Sequence, residues 1–199
     1  MELVIIRHGQ SEADVLGVHE GRADFPLTEL GEHQAKLLTN YVATHFPPNV
    51  ILTSPLMRAK STASILKEGI GCELIVEDDL MELNNGVLAG LSREEAAIKY
   101  PLPQNGRPVH LPIEDGESEL ELRFRAERVF HTIIYDYKEY ERVAIISHGG
   151  LISHLLKAFL RQPNSSDFAY ATGDTGIHLL EIKESVRVIR FLNRQEHLN

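Results

Sequence analysis

Leu3-Val4-Ile5-Ile6-Arg7-His8-Gly9 and Val143-Ala144-Ile145-Ile146-Ser147-His148-Gly149 follow one pattern: four apolar residues, one polar residue, then His-Gly. Short continuous apolar runs rich in β-branched side chains suit strands covered on both faces of a parallel sheet. Ligands of open α/β sheets bind beyond the carboxyl ends of such strands. If the two strands are neighbours, His8 and His148 converge at one end of the sheet. The glycines let the chain turn away tightly and let backbone come close to a ligand. One His-Gly alone carries no information; the same ending on two strands does.

The stretches between them alternate in kind. Val50-Ile51-Leu52 and Glu73 to Val76 read as further strands. Thr28 to Phe46 reads as an amphipathic helix with Ala35, Leu38, Val42 and Phe46 on one stripe, ended by Pro47-Pro48. Ser54-Pro55 offers an N-cap and a proline at the first helical position, so a helix is expected from there to about Lys67. Ser92 with Glu95, and Ser118 with Glu121, have capping-box spacing. The first should open a short helix and the second a long one whose inner face carries Leu122, Ala126, Val129, Phe130, Ile133, Ile134 and Tyr137. Leu151, Ile152, Leu155, Leu156, Phe159 and Leu160 mark the helix after the second His-Gly. Ile177 to Ile182 and Val186 to Leu192 read as a hairpin turning through Lys183 to Ser185. Strands alternating with helices mean an α/β fold with a mainly parallel sheet. Tyr100 to Gly116, with four of the nine prolines, is expected to be a long loop of the kind usually tied to function or disorder.

Composition narrows the function classes. The 199 residues fit one domain, 1–199, by the usual length of about 150 residues per domain. Cys72 is the only cysteine, which excludes an intramolecular disulfide and a multi-cysteine metal site. No apolar run is long enough to span a membrane, and the start of the chain lacks a signal-peptide pattern. The net charge of −9 disfavours nucleic acid and anionic lipid as partners. A cytoplasmic protein acting on small molecules or proteins is the expectation.

Two histidines at one sheet end admit three readings. They can be packed side chains, metal ligands, or phosphoryl chemistry. Arg7 beside His8 disfavours a bound cation. Its planar fork suits phosphate oxygens instead, and a neutral histidine next to it can attack phosphorus. Phosphoryl chemistry is therefore favoured, with no metal.

At these residues the sequence resembles the histidine phosphatase superfamily, which includes cofactor-dependent phosphoglycerate mutase. Arg7-His8-Gly9 and Ser147-His148-Gly149 carry the likeness. Asp24-Phe25-Pro26-Leu27-Thr28 with Gly31 and Gln34-Ala35 extends it, as do Ser54-Pro55-Leu56-Met57-Arg58-Ala59 with Thr62-Ala63, Glu82 with Gly86 and Gly90, and Asp115-Gly116-Glu117-Ser118. The motifs run in order from about residue 2 to 180. The resemblance implies a three-layer α/β/α sandwich around a mainly parallel mixed sheet, closed by the antiparallel C-terminal hairpin. It also implies a catalytic set of His8 as nucleophile, Arg7, Arg58 and His148 on the phosphoryl oxygens, and Glu82 as acid and then base. Gln10, Ser11, Asp14, Gly21, Arg22 and Gly149 would complete substrate binding, with no cofactor. The two arginines should lower the pKa of His8 and keep it neutral.

Departures from the family pattern carry information too. Where the family often has an asparagine, Asp14 stands; a carboxylate cannot donate to phosphate, so Asp14 should turn away, pair with a base, or read a substrate hydroxyl. Leu88 and Ala89 replace a tryptophan often seen between the two glycines. The interval from Glu82 to His148 is 66 positions, too short for the added segment with which the mutases enclose a bisphosphate. A phosphomonoester hydrolase acting on a small phosphorylated metabolite is thus expected. Mutase-type transfer is the alternative, a phosphate-binding regulatory module a further one, and a metal-dependent hydrolase the rival chemistry. Whether the chain is a monomer or homodimer is open.

Other matches lack their partners. Asp174-Thr175-Gly176 resembles half of an aspartic protease dyad without the other half. Asn164-Ser165-Ser166 is a glycosylation triplet without a secretory route, and no dinucleotide or P-loop fingerprint occurs. His178 stands apart from the other histidines because its strand could bring it near the site.

Overall fold

The computed structural model describes residues 1–163, 168–184 and 186–199. The Asn164-Ser165-Ser166 triplet and Ser185 of the hairpin turn lie outside the described residues.

Six strands form one sheet: β1 (Glu2–Arg7), β2 (Val50–Thr53), β3 (Glu73–Val76), β4 (Arg142–Ser147), β5 (Ile177–Lys183) and β6 (Val186–Arg194). Their order across the sheet is β3-β2-β4-β1-β5-β6. The first four run parallel, while β5 lies antiparallel to β1 and β6 antiparallel to β5. The sheet is thus mixed and mainly parallel, with the C-terminal hairpin at one edge. In β1 and β4 the register pairs Arg7 with Ser147, so the next residues, His8 and His148, leave the sheet side by side.

Alternation along the strands divides the core into two layers. Leu3, Ile5, Val50, Leu52, Val143 and Ile145 face α5 (Glu119–Asp136) and α6 (Gly149–Phe159). Val4, Ile6, Ile51, Ala144 and Ile146 face α2 (Glu29–His45) and α3 (Met57–Ile70). Each such side chain is essentially excluded from solvent, which stabilises the fold by roughly 1.5–3 kcal/mol per large aliphatic group. Helices on both faces make the three-layer sandwich.

Most helix ends are where the capping signals put them. Thr28 caps α2, and Ser92 and Ser118 form full capping boxes with Glu95 and Glu121 at α4 (Arg93–Lys99) and α5. One expectation fails. The helix assigned to Ser54-Pro55 begins at Met57, with Leu56 at the cap and no side-chain cap bond of its own. Ser54 is occupied elsewhere: its hydroxyl accepts from the Leu56 amide and meets His148 Nε2 at 2.8 Å. The Met57 amide is instead capped from a separate loop by Asp24 Oδ1 at 2.6 Å. A short helix, α1 (Glu12–Leu16), was not expected, since its five residues show no apolar period and expose Val15 and Leu16. Its signal is the box formed by Ser11 and Asp14. Residues 101–117 contain no helix or strand, as the prolines require.

Candidate active site

The carboxyl ends of β1 and β4 deliver His8 and His148 with ring centroids 5.1 Å apart, both buried. Behind His8 the chain has no room for a side chain, because a Cβ on Gly9 would collide with the Gly31 carbonyl at the start of α2. The Gly9 amide donates to Thr62 Oγ1 on α3, which ties the turn to that helix.

His8 Nδ1 lies 2.7 Å from the carbonyl of Gly9. A carbonyl only accepts, so Nδ1 carries the proton and Nε2 keeps its lone pair. Arg58 Nε donates to that nitrogen at 3.2 Å. The His8 pKa is pushed down to about 3, first by burial and then by Arg58 and Arg7. Both arginines lower it as expected, and burial, which the sequence did not reveal, leads the effect. At neutral pH His8 is an uncharged imidazole whose unprotonated Nε2 accepts from Arg58.

His148 is likewise held neutral, again mainly by burial and then by Arg58. Its Nε2 hydrogen-bonds the Ser54 hydroxyl at 2.8 Å, which also accepts from the Leu56 amide. Among the described residues His148 Nδ1 and the Arg7 Nε donor are buried atoms with no hydrogen-bond partner. Unpaired buried polar groups are costly, and these two belong to residues expected to bind phosphoryl oxygens.

Arg58 is fully buried and uses every donor group. NH2 donates to the Gly21 carbonyl at 2.7 Å, NH1 to the Ala23 carbonyl at 3.1 Å and Nε to His8, while Glu20 Oε2 forms an ion pair 3.1 Å from Nε. Gly21 has φ of +49°, and any Cβ there would overlap the Asn85 side-chain amide, so only glycine serves. Arg7 donates to the Thr172 carbonyl at 3.0 Å and pairs with Asp14 at 3.1 Å and Asp174 at 3.4 Å.

Among the alternatives for Asp14, the structure takes the pairing. Its second oxygen closes the Ser11 capping box, accepting from the Ser11 amide at 2.9 Å and hydroxyl at 3.0 Å. Burial raises its pKa, but the Ser11 donors and Arg7 outweigh that and hold it below the ordinary range. Asp14, Gly21, Glu82 and Gly149 line one cleft of about 740 Å³ beside the histidines. Glu82 reaches the N-terminus of α6, where its carboxylate accepts from Gly150 at 2.8 Å and Leu151 at 3.0 Å. Anions are favoured at that end of a helix.

Two expected binding residues point elsewhere. The Gln10 side chain accepts from Thr28 at 2.9 Å. Arg22 is neither in the cleft nor paired with Asp24; Nε donates to the Glu82 carbonyl at 3.3 Å and NH2 lies 3.8 Å from Glu117. Arg22 thus braces the Glu82 segment from behind.

Several residues were missed from sequence. Glu20 sits 3.9 Å from His8 Nε2, and the only cue was its place before Gly21. Arg125 on α5 clamps the Glu82 segment by donating to the carbonyls of Asp79, Met81 and Glu82 while its guanidinium grips Glu117. Capping-box spacing revealed the helix but not this inward arginine. Asp174-Thr175-Gly176 backs the site, since Thr175 donates to the His8 carbonyl and Arg7 to that of Gly176. His178 touches Thr172, one residue removed from Arg7. His154 and Glu119 pair at 2.8 Å in the cleft wall.

Comparison with known proteins fits this geometry. A family model for the histidine phosphatase superfamily (branch 1) matches residues 3–195. The probable phosphoglycerate mutase GpmB of Photorhabdus laumondii is 35% identical over 131 residues, 63% of this chain and 60% of that relative. The adenosylcobalamin/alpha-ribazole phosphatase of Salmonella typhimurium is 30% identical over 201 residues, 97% of this chain and 96% of its own. Among solved structures, the alpha-ribazole phosphatase of Shigella flexneri superposes with a TM-score of 0.86 at 25% identity, over 98% of this chain and 97% of that one.

Proposed function

The chain belongs to the histidine phosphatase superfamily, and from that premise we propose that it hydrolyses small phosphomonoesters through a phosphohistidine formed on His8. Phosphohistidine chemistry is general to the family, and relatives matched over nearly their whole length are named phosphatases. The carrying observation is the state of His8: buried, neutral, Nδ1 committed to Gly9, and Nε2 aimed at the Arg58 side of the site.

In this reading the Nε2 lone pair forms a bond to phosphorus while the ester oxygen departs, taking a proton from Glu82. Water then attacks the phosphohistidine, gives its proton to Glu82 carboxylate, and returns His8 to its neutral form. Arg7, Arg58 and His148 stabilise charge on the transferring group, usually the largest catalytic contribution. Ser11, Asp14, Gly21 and Gly149 shape its surroundings, and Gln10 and Arg22 support the walls. Hydrolysis is favoured over mutase transfer by the short interval between Glu82 and His148. The setting we infer is one domain over 1–199, needing no cofactor, acting in the cytoplasm on a small ester rather than on nucleic acid, as monomer or homodimer. Among the described residues no helix is long and apolar enough to cross a membrane.

The test is hydrolysis of an aryl phosphate by wild type and His8→Ala, each with and without chelator, together with trapping of the phosphoenzyme. An acid-labile, base-stable phosphoenzyme lost in His8→Ala, with turnover indifferent to chelator, is expected. Activity that survives His8→Ala, or disappears with chelator, overturns the reading. A panel of small esters then ranks the leaving group.

A further inference from the structure

Among the described residues, Glu20 is the one acidic side chain drawn up against both Arg58 and the nucleophilic nitrogen. Oε2 lies 3.1 Å from Arg58 Nε and 3.9 Å from His8 Nε2, and the side chain is only 16% exposed. Among the described residues its other oxygen, also buried, has no hydrogen-bond partner. Arg58 NH1 and NH2 each donate to a loop carbonyl, and Nε, which donates to His8, is the nitrogen that Glu20 Oε2 stands against. A group attacked by His8 Nε2 must occupy the space next to that nitrogen, about 3–3.5 Å away. The Glu20 carboxylate stands at the edge of that space.

We propose that Glu20 is an internal competitor for the phosphoryl site, an acidic side chain that holds Arg58 in the resting enzyme and must swing out or take up a proton before a phosphate ester can bind. This inference rests on the phosphatase reading above and deepens it, because it makes Glu20 a determinant of affinity for anionic esters. A carboxylate and a phosphoryl dianion on the same guanidinium repel each other, so the ester binds only to the fraction of enzyme in which Glu20 has let go. The groups facing Glu20 come from every neighbouring element. Arg58 belongs to α3, Arg7 ends β1 and His8 follows it, Ser11 caps α1, and Asp14 lies within α1; Glu82 lines the same cleft. Burial raises the Glu20 pKa, with Asp14 adding to it, while Arg58, Ser11 and Arg7 oppose. The balance favours the protonated form more than at an ordinary glutamate, which supplies a second route to release.

The experiment measures competitive inhibition by inorganic phosphate from pH 5 to 8 in wild type, Glu20→Gln and Glu20→Ser. Taking the ratio of wild-type to variant inhibition constants at each pH cancels the ionisation of phosphate itself. The expected ratio is about tenfold at pH 8, the scale of a site held closed nine-tenths of the time, and it falls toward one in acid as Glu20 protonates. Two variants with one shift guard against a folding artefact in either. A ratio near one at every pH, or tighter phosphate binding by wild type, overturns the proposal. So does a hundredfold fall in kcat with unchanged inhibition, which would make Glu20 the proton donor instead. Phosphoenzyme trapping in the same variants separates the two readings. If His8 is phosphorylated and the ratio stays flat, only the role of Glu20 fails. If no phosphohistidine forms in any of the proteins, the phosphatase mechanism fails with it.

Discussion

Replacing Arg58 by lysine keeps the charge and removes the fork, and this change isolates what the fork does. In the native site the guanidinium donates to the carbonyls of Gly21 and Ala23 and through Nε to His8, pairs with Glu20, and has no access to solvent. A lysine has one nitrogen and cannot sit against His8 and reach both carbonyls at once. Two of these charged hydrogen bonds are lost, at roughly 1.5–3 kcal/mol each, and the ammonium recovers part of the loss through a remaining carbonyl. The expected net destabilisation is about 3 kcal/mol, within the range for breaking one side of a buried polar network. In urea, with a slope near 2 kcal/mol per molar, the midpoint falls by about 1.5 M and the slope is unchanged. Activity should fall by about 10²–10³ in kcat, the scale for one misplaced donor at developing charge. Because burial leads the depression of His8 and the positive charge is retained, the acid limb of the pH profile should not move. Equilibrium urea unfolding and initial rates on an aryl phosphate measure both quantities. A stability loss under about 0.5 kcal/mol, or activity within threefold of wild type, would refute the account of Arg58 as the bracket between loop and nucleophile.

Three further outcomes follow from the same geometry. Gly21→Ala forces a side chain into a left-handed backbone and into the Asn85 amide; a loss of about 1–3 kcal/mol in thermal unfolding is expected, with a higher KM, and an unchanged melting temperature would count against it. His178 has its pKa pushed down from 6.5 to about 4 by burial, so the unfolded chain takes up a proton that the native chain refuses between those values. Stability is therefore full above pH 6.5 and falls as pH drops to 4, by about 3 kcal/mol in total; His178→Asn should flatten that part of the curve in urea titrations, and identical slopes would exclude the assignment. Asp14→Asn removes the ion pair from Arg7 yet can keep part of the Ser11 box, so KM for phosphate esters should fall by about two- to fivefold, matching the worth of a part-exposed pair. A KM that stays level or rises for every ester tested shows that the pair is needed rather than inhibitory.

Which parts of this were legible in the sequence depends on whether the physics was local. The strands β1, β2 and β4 are continuous apolar runs because both faces are covered, and they read clearly for that reason. Capping boxes at Ser92 and Ser118 are four-residue devices and appeared where their spacing put them. The start of α3 was misplaced because the atoms that decide it are distant: Asp24 caps Met57, and His148 engages Ser54. The same division holds in the site. His8, His148, Arg7 and Arg58 sit in recognisable motifs at strand ends or a helix start. Glu20, Arg125 and Asp174 reach the site only through tertiary packing, and an acidic or basic residue in a polar stretch gives no sign of the direction in which it will fold. Arg22 shows the converse, since its motif position suggested phosphate while its guanidinium braces the Glu82 carbonyl.

The place of β1 in the sheet bears on how the protein must be made. The strand that carries the nucleophile lies between β4 and β5, and both partners are encoded at least 135 residues later. During synthesis its two hydrogen-bonding edges have no strand to pair with until more than two thirds of the polypeptide has followed. Pairings this remote are closed late and slowly, and an uncovered apolar strand is a target for chaperones and for self-association. Turnover is then also a measure of completed assembly: a chain halted before β4 holds His8 and Arg58 but has no His148 and no neighbour to hold the nucleophile's strand in place.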